Sequence, residues 1–180
     1  SALTPILSSP GWELLESLQA KQATNPIPLP ELGSALRASG LDAELVVAVL
    51  TQLALRQAAR SKFGPFASHM VFTRDGLEQA TRLVVAARHA QRFRDCGATR
   101  VADLGCGIGS DAMAIAGLGM KVLAVDIDPD TAGAVAANLR AFEGSEVRLG
   151  DVTDLDMDEL SAEGVDAIFA DPARRTGASR

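Results

Sequence analysis

The stretch Val101-Ala102-Asp103-Leu104 is apolar except for one acid and runs straight into Gly105-Cys106-Gly107-Ile108-Gly109-Ser110. A short apolar run closed by a glycine-rich turn reads as a buried strand, and Ser110 to Leu118 then reads as a helix. Alternating glycines reach backbone conformations that side chains forbid, and they let a ligand approach the main chain closely. A strand, such a turn and a helix make one unit of a parallel sheet. The chain repeats that alternation beyond Ala98: strands at Lys121 to Val125, Val147 to Leu149 and Val165 to Ala170, and helices at Pro129 to Phe142 and Met157 to Leu160. This rhythm predicts parallel strands joined by right-handed crossovers. The expected fold is therefore α/β, with residues 98–180 as the N-terminal half of a Rossmann-like core. That core would be incomplete, holding its first four strands, with more expected beyond Arg180.

Upstream, the pattern is helical. Ser9-Pro10 leads into Trp12, Leu14, Leu15 and Leu18 at amphipathic spacing, and the proline cluster Pro26 to Pro30 stops that helix. A short helix from Pro30 or Glu31 to Ala38 ends at Ser39-Gly40, and Asp42 is placed to cap a long helix over Leu45 to Arg60. Lys62 to Thr73, with Gly64, Pro65 and three phenylalanines, reads as a loop or extended segment. Thr73 or Asp75 opens one helix running to about Arg94, closed by Cys96-Gly97-Ala98. The expected division is an all-helical N-terminal domain over 1–73, a connecting helix over 74–97 and the α/β core from 98 onward.

Bulk properties narrow the function. The 180 residues are 47% apolar and contain no apolar run of membrane-spanning length. With no secretory leader pattern at the N-terminus, a cytoplasmic location is expected. Cys96 and Cys106 lack zinc-ligand spacing and read as reduced thiols, so no metal site is expected. The net charge is −6, which is not the footprint of a strong nucleic-acid binder. A polyanion would need a local patch, and Arg82, Arg88, His89, Arg92, Arg94 and Arg100 supply one candidate. The same side chains would also serve to solvate a helix face.

Four acids follow predicted strands in register. Asp103 lies at the end of its strand, where it can hold a positively charged amino group and would repel a pyrophosphate. Ser110-Asp111 adds negative charge where a phosphate-binding loop wants none. Asp126 ends the next strand, 21 residues after Gly105, and is placed to accept from both hydroxyls of a ribose, leaving Asp128-Pro129 to cap the following helix. Asp151 follows the third strand, where it can accept from an adenine amine while Val152 offers its N–H; it would equally suit a solvated turn. Asp171-Pro172-Ala173-Arg174-Arg175 follows the fourth, beyond the carboxyl ends of the strands, where open α/β sheets bind ligands.

Taken in order, Asp103-Leu104-Gly105-Cys106-Gly107-Ile108-Gly109, Asp126, Asp151 and Asp171-Pro172-Ala173-Arg174 resemble motifs I to IV of class I S-adenosylmethionine-dependent methyltransferases. The resemblance covers about Ala98 to Gly177. It implies that Asp103, Gly105, Gly107 and Gly109 hold the methionine part, Asp126 the ribose, and Asp151 with Val152 the adenine, with Ile127 also among the cofactor-binding residues. Asp171 and Pro172 would be catalytic, and Arg174 and Arg175 would bind substrate. The Asp-Pro-Ala-Arg form looks most like bacterial predicted methyltransferases that carry a C-terminal THUMP-like domain, which would lie beyond Arg180. It is also similar to the trimethylguanosine-synthase type, in which leading helices help close the cofactor site and Phe72-Thr73-Arg74 would pack near the methionine end. RNA is the substrate these resemblances imply. Ala173 replaces the second proline usual in motif IV of nucleic-acid amino-methyltransferases, with no aromatic after it. The alternatives are a non-catalytic cofactor- or RNA-binding module and an NAD-dependent oxidoreductase; the oligomeric state stays open.

Overall fold

A four-stranded parallel sheet, ordered β3-β2-β1-β4, frames the computed structural model, which describes residues 2–171. The strands are β1 (Arg100–Leu104), β2 (Lys121–Asp126), β3 (Ser145–Leu149) and β4 (Ala167–Ala170). The helices ahead of the sheet are α1 (Thr4–Leu7), α2 (Ser9–Thr24), α3 (Leu29–Ala38), α4 (Ala43–Phe63), α5 (Arg74–Gln79) and α6 (Leu83–Asp95). Within it lie α7 (Ser110–Gly117), α8 (Pro129–Leu139) and α9 (Met157–Ala162). The Rossmann-like α/β expectation holds, and the strands start and stop within about two residues of where alternation placed them.

β1 and β2 are central and covered on both faces, which is why their sequences are near-continuous apolar runs. Val101, Val122 and Ala124 point to a layer built from Ala90 of α6, Ala112 and Ile115 of α7, and Val135 and Leu139 of α8. Ala102, Leu123 and Val125 point the other way, toward Leu160 of α9 and Val165. The chain winds from β1 outward to β3 and then returns across β1 to β4, so a topological switch point opens at the carboxyl ends of β1 and β4.

Asp42 caps α4 through Leu45 N at 3.0 Å, and Gly40 ends α3 at φ +82°, as the sequence predicts. Several elements differ: α4 runs on to Phe63 rather than Arg60, and a 3-10 helix over Gly64–His69 occupies much of the segment expected to be a loop. The short helix α1 carries no sequence signal, and α8 stops at Leu139 rather than Phe142. The helix expected from Thr73 to Arg94 is two helices with an extended break at Ala80 to Arg82. The cause is remote in sequence: Lys62 Nζ donates to the carbonyls of Leu77, Glu78 and Ala80 at 2.7, 2.7 and 3.0 Å. That ammonium satisfies the C-terminal carbonyls of α5 and lets the chain turn away.

The segment Met70-Val71-Phe72 is fully buried, yet its main chain pairs with side chains rather than with another strand. Arg56 Nε donates to Met70 O at 2.8 Å. Asn138 of α8 accepts from Val71 N at 2.7 Å and donates to Val71 O at 3.0 Å. Gln52 does the same for Phe72, at 3.0 and 2.8 Å. Arg56 is itself buried and paired with Glu16 of α2 at 2.9 Å. The helical region and the α/β core are thus sewn together along three residues. Among the described residues no helix is long and apolar enough to cross a membrane.

Asn138→Ala leaves both polar groups of Val71 and the carbonyl of Ile108 buried without partners. We expect a stability loss of about 2–4 kcal/mol from desolvation of those groups, measurable by urea denaturation followed by circular dichroism.

Candidate functional site

The glycine loop after β1 is held from four sides. Gly105 N and Cys106 N donate to Val125 O at 2.9 and 3.0 Å, and Gly107 N donates to Asp126 Oδ2 at 3.0 Å. Ile108 is buried among the N-terminal helices, and its carbonyl accepts from Asn138 Nδ2 at 2.8 Å. Gly109 has φ +90°, and a Cβ there would stand 2.5 Å from Val135 Cγ2, so only glycine fits. α5 lies against the same loop, since a Cβ on Gly76 would stand 2.4 Å from Ile108 Cγ2.

The structure brings Asp103, Gly105, Gly107, Asp126, Ile127, Asp151, Val152 and Asp171 to the rim of one cleft. Gly109 serves the loop from behind. Pro172, Arg174 and Arg175 lie outside the described residues. The cleft is open to solvent on one side and spans about 1830 Å³, more than one small molecule usually occupies. Its opposite wall is formed by leading helices, α1 and α4 with Glu44, Val47, Ala48 and Thr51 and α5 with Arg74 and Glu78, and Phe72 and Thr73 line it as well.

Asp103 is 2% exposed, and its Oδ2 has no hydrogen-bond partner. Burial, then the neighbouring Asp111 carboxylate, and also Asp126 and Asp171 push its carboxyl up to about 8, against a partly offsetting hydrogen bond from the Ala112 backbone. A carboxyl buried among other acids with one oxygen unmet is held in its protonated form, and a cation placed beside it would favour release of that proton. Asp126 does more than the sequence suggests: besides holding Gly107 it accepts from Asp128 N at 3.0 Å, while Asp128 caps α8 through Thr131 N at 2.7 Å. Each Asp126 oxygen still has a lone pair for a hydroxyl donor. Asp151 Oδ1 accepts from Thr153 N and Oγ1 at 2.8 and 2.7 Å, which holds its carboxyl below the usual range. Ile127, 65% exposed, and the exposed edge of Val152 supply apolar surface beside these acids.

Cys106 is pushed well above the ordinary thiol range by burial and by Asp103 and Asp126, so it stays a neutral thiol. Ten carboxylates line the cleft against one basic side chain, Arg74, among the described residues. The candidate basic patch splits. Arg82, Arg88, Arg92 and Arg94 are exposed around α6, but Arg100 bonds Glu146 at 3.0 Å and His89 turns inward to Asp111. Among the described residues no three His, Cys, Asp or Glu side chains converge as a metal site.

Comparison with known proteins adds the following. A family model described as "Methyltransferase small domain" matches residues 65–179, and one described as a domain of unknown function matches residues 1–59. No curated protein sequence matches the chain. A crystal structure of a candidate methyltransferase from Porphyromonas gingivalis W83 superposes with a TM-score of 0.63 at 28% identity, covering 75% of this chain and 35% of that one. The chain therefore spans about a third of that relative's length. A candidate RNA methyltransferase from Pyrococcus horikoshii gives a TM-score of 0.48 at 25% identity, covering 67% of this chain and 59% of that one.

Asp103 holds its proton from near 3.8 up to about 8 in the folded chain, so the native state binds more protons than the unfolded one across that window and stability falls as pH rises through it. Asp103→Asn removes this dependence. We expect the variant to match the parent near pH 4 and to be more stable by a few kcal/mol above pH 8, read from urea melts at a series of pH values.

Proposed function

Since the chain belongs to the methyltransferase small domain family, we propose that it binds S-adenosylmethionine in the cleft and passes the methyl group to a nucleophile in RNA. The observation that carries the cofactor reading is the unmet buried oxygen of Asp103 at the end of β1. An α-ammonium supplies the missing charge, whereas a pyrophosphate at this loop would face Asp103, Asp111 and Asp126 with Arg74 as the one basic side chain among the described lining residues to set against ten acids.

The remaining residues take their parts from position. Gly105, Gly107 and Gly109 keep the loop bare for the methionine chain, and Asp126 takes the ribose hydroxyls with Ile127 beside them. Asp151 and Val152 take the adenine edge. When bound, the sulfonium supplies an electrophilic methyl group, and the chain contributes alignment and exclusion of water. Asp171, at the end of β4 and on the cleft rim, accepts a hydrogen bond from the acceptor amine and points its lone pair inward. Pro172 would shape that turn, and Arg174 and Arg175 would hold a phosphate.

Two features support RNA as acceptor. The motif Asp171-Pro172-Ala173-Arg174 resembles that of bacterial predicted methyltransferases with a THUMP-like domain, and Arg82, Arg88, Arg92 and Arg94 are exposed around α6, outside the acidic cleft. His89 and Phe93 of α6 pack on Phe169 of β4, so this basic helix flanks the strand that leads to Asp171. Phosphates would rest on the helix while an uncharged base enters among the carboxylates.

Calorimetric titration with S-adenosylmethionine, S-adenosylhomocysteine and NAD should show binding of the first two, abolished in Asp126→Ala; heat with NAD alone would favour the oxidoreductase reading. Transfer of labelled methyl to bulk RNA should drop by roughly tenfold in an Arg88→Glu, Arg92→Glu double variant through lost phosphate contacts. Cofactor binding with no transfer to RNA would leave the fold reading intact and remove the RNA acceptor.

A further inference from the structure

Asp111 sits in the first turn of α7, where an acid ordinarily faces water and the helix N–H groups. Here it is buried, lines the cleft, and has its Oδ1 clamped by His89 Nδ1 at 2.7 Å. His89 comes from α6, and its ring is wedged against Phe169 of β4 with centroids 5.2 Å apart; Phe93, one turn further on, meets the same Phe169 ring edge-on at 6.2 Å. The imidazole is therefore gripped between a strand and a helix start, and its position sets that of the carboxylate.

Beside this pair lie two more buried oxygens. Asp103 Oδ2 and Ser110 Oγ have no hydrogen-bond partner, and both residues line the same cleft as Asp111. Among the described residues no Lys or Arg pairs with Asp103 or Asp111. Two carboxylates buried in one pocket repel each other, and a hydroxyl buried without a partner costs free energy. Helix capping does not account for this arrangement, since the side chain of Asp111 is held by a different helix and the Asp103 oxygen by nothing. An alkylammonium carries three N–H donors, and Asp103, Asp111 and Ser110 present three acceptors.

We propose that Asp111 and Ser110 complete, with Asp103, a three-acceptor pocket for the α-ammonium of the cofactor, and that His89 is the positioning residue that holds Asp111 in it. The inference rests on the S-adenosylmethionine reading of the cleft and assigns it a specificity: an adenosyl thioether without an amino acid tail leaves the pocket unfilled. His89 thereby moves from an outward-facing basic patch to a place behind the cleft, where it touches the site through Asp111.

The test compares S-adenosylhomocysteine with 5′-deoxy-5′-methylthioadenosine, which keeps the nucleoside and lacks the amino acid, by calorimetric titration of the parent chain, Asp111→Asn and His89→Phe. Phenylalanine keeps the stacking on Phe169 and removes the hydrogen bond. Affinity for S-adenosylhomocysteine should fall about tenfold or more in each variant, the worth of one charge-assisted hydrogen bond. Affinity for the thioether should stay within about twofold. Equal loss for both ligands would mark the pair as scaffold and overturn the proposal, as would unchanged affinity for S-adenosylhomocysteine. Should a variant fail to fold, the parent chain decides alone: it should bind S-adenosylhomocysteine at least about tenfold tighter than the analogue lacking only the amino group, and equal affinity would overturn the pocket. A parent chain that binds none of these ligands fails the cofactor reading itself, a result distinct from either.

Discussion

The buried run Met70-Val71-Phe72 holds this structure together. An extended main chain inside a protein must find partners for every N–H and C=O, and here the partners are Arg56, Gln52 and Asn138 rather than a neighbouring strand. Each amide side chain donates and accepts at one residue, as a paired strand would. Two of the three come from α4 and one from α8, so the segment joins the leading helices to the sheet's own helical layer. Asn138 also reaches Ile108 in the glycine loop, which carries the order of this seam into the cleft.

From that seam the far wall of the cleft follows. Thr73 caps α5 immediately after Phe72, through Gly76 N at 3.0 Å, and Lys62 closes its other end. α5 buries no residue of its own and owes its place to these contacts and to the bare Gly76 against Ile108. A site that a parallel sheet leaves open on one side becomes a cleft because the helical region supplies the second side. On the function proposed above, the cleft's load of carboxylates would favour a cationic tail beside Asp103 and a neutral acceptor near Asp171, and a polyanionic backbone would be left to the arginines around α6.

The acids in the cleft oppose stability as well as serving binding. Asp103 is buried without a full set of partners and with Asp111 and Asp126 nearby, an arrangement that costs free energy in the empty protein. The charge of a bound cation would relieve it. Cys106, in the middle of the loop, stays a neutral thiol chiefly because it is buried, and the neighbouring Asp103 and Asp126 add to that effect.

The sequence by itself determined the alternation of strand and helix beyond Ala98, the glycine turn, and the position of one acid after each strand, because these depend on local periodicity and on backbone conformations that only glycine adopts readily. It also located the caps at Asp42 and Asp128, whose partners lie three residues away. Only the tertiary structure decided that α5 and α6 are separate, since the agent is Lys62, 15 to 18 residues distant. It likewise decided that His89 faces inward and that Gln52, Arg56 and Asn138 are buried polar ties. A polar residue on a helix looks the same in sequence whether it meets water or a main-chain amide from 20 or 67 residues away; which of the two it meets depends on how the layers dock.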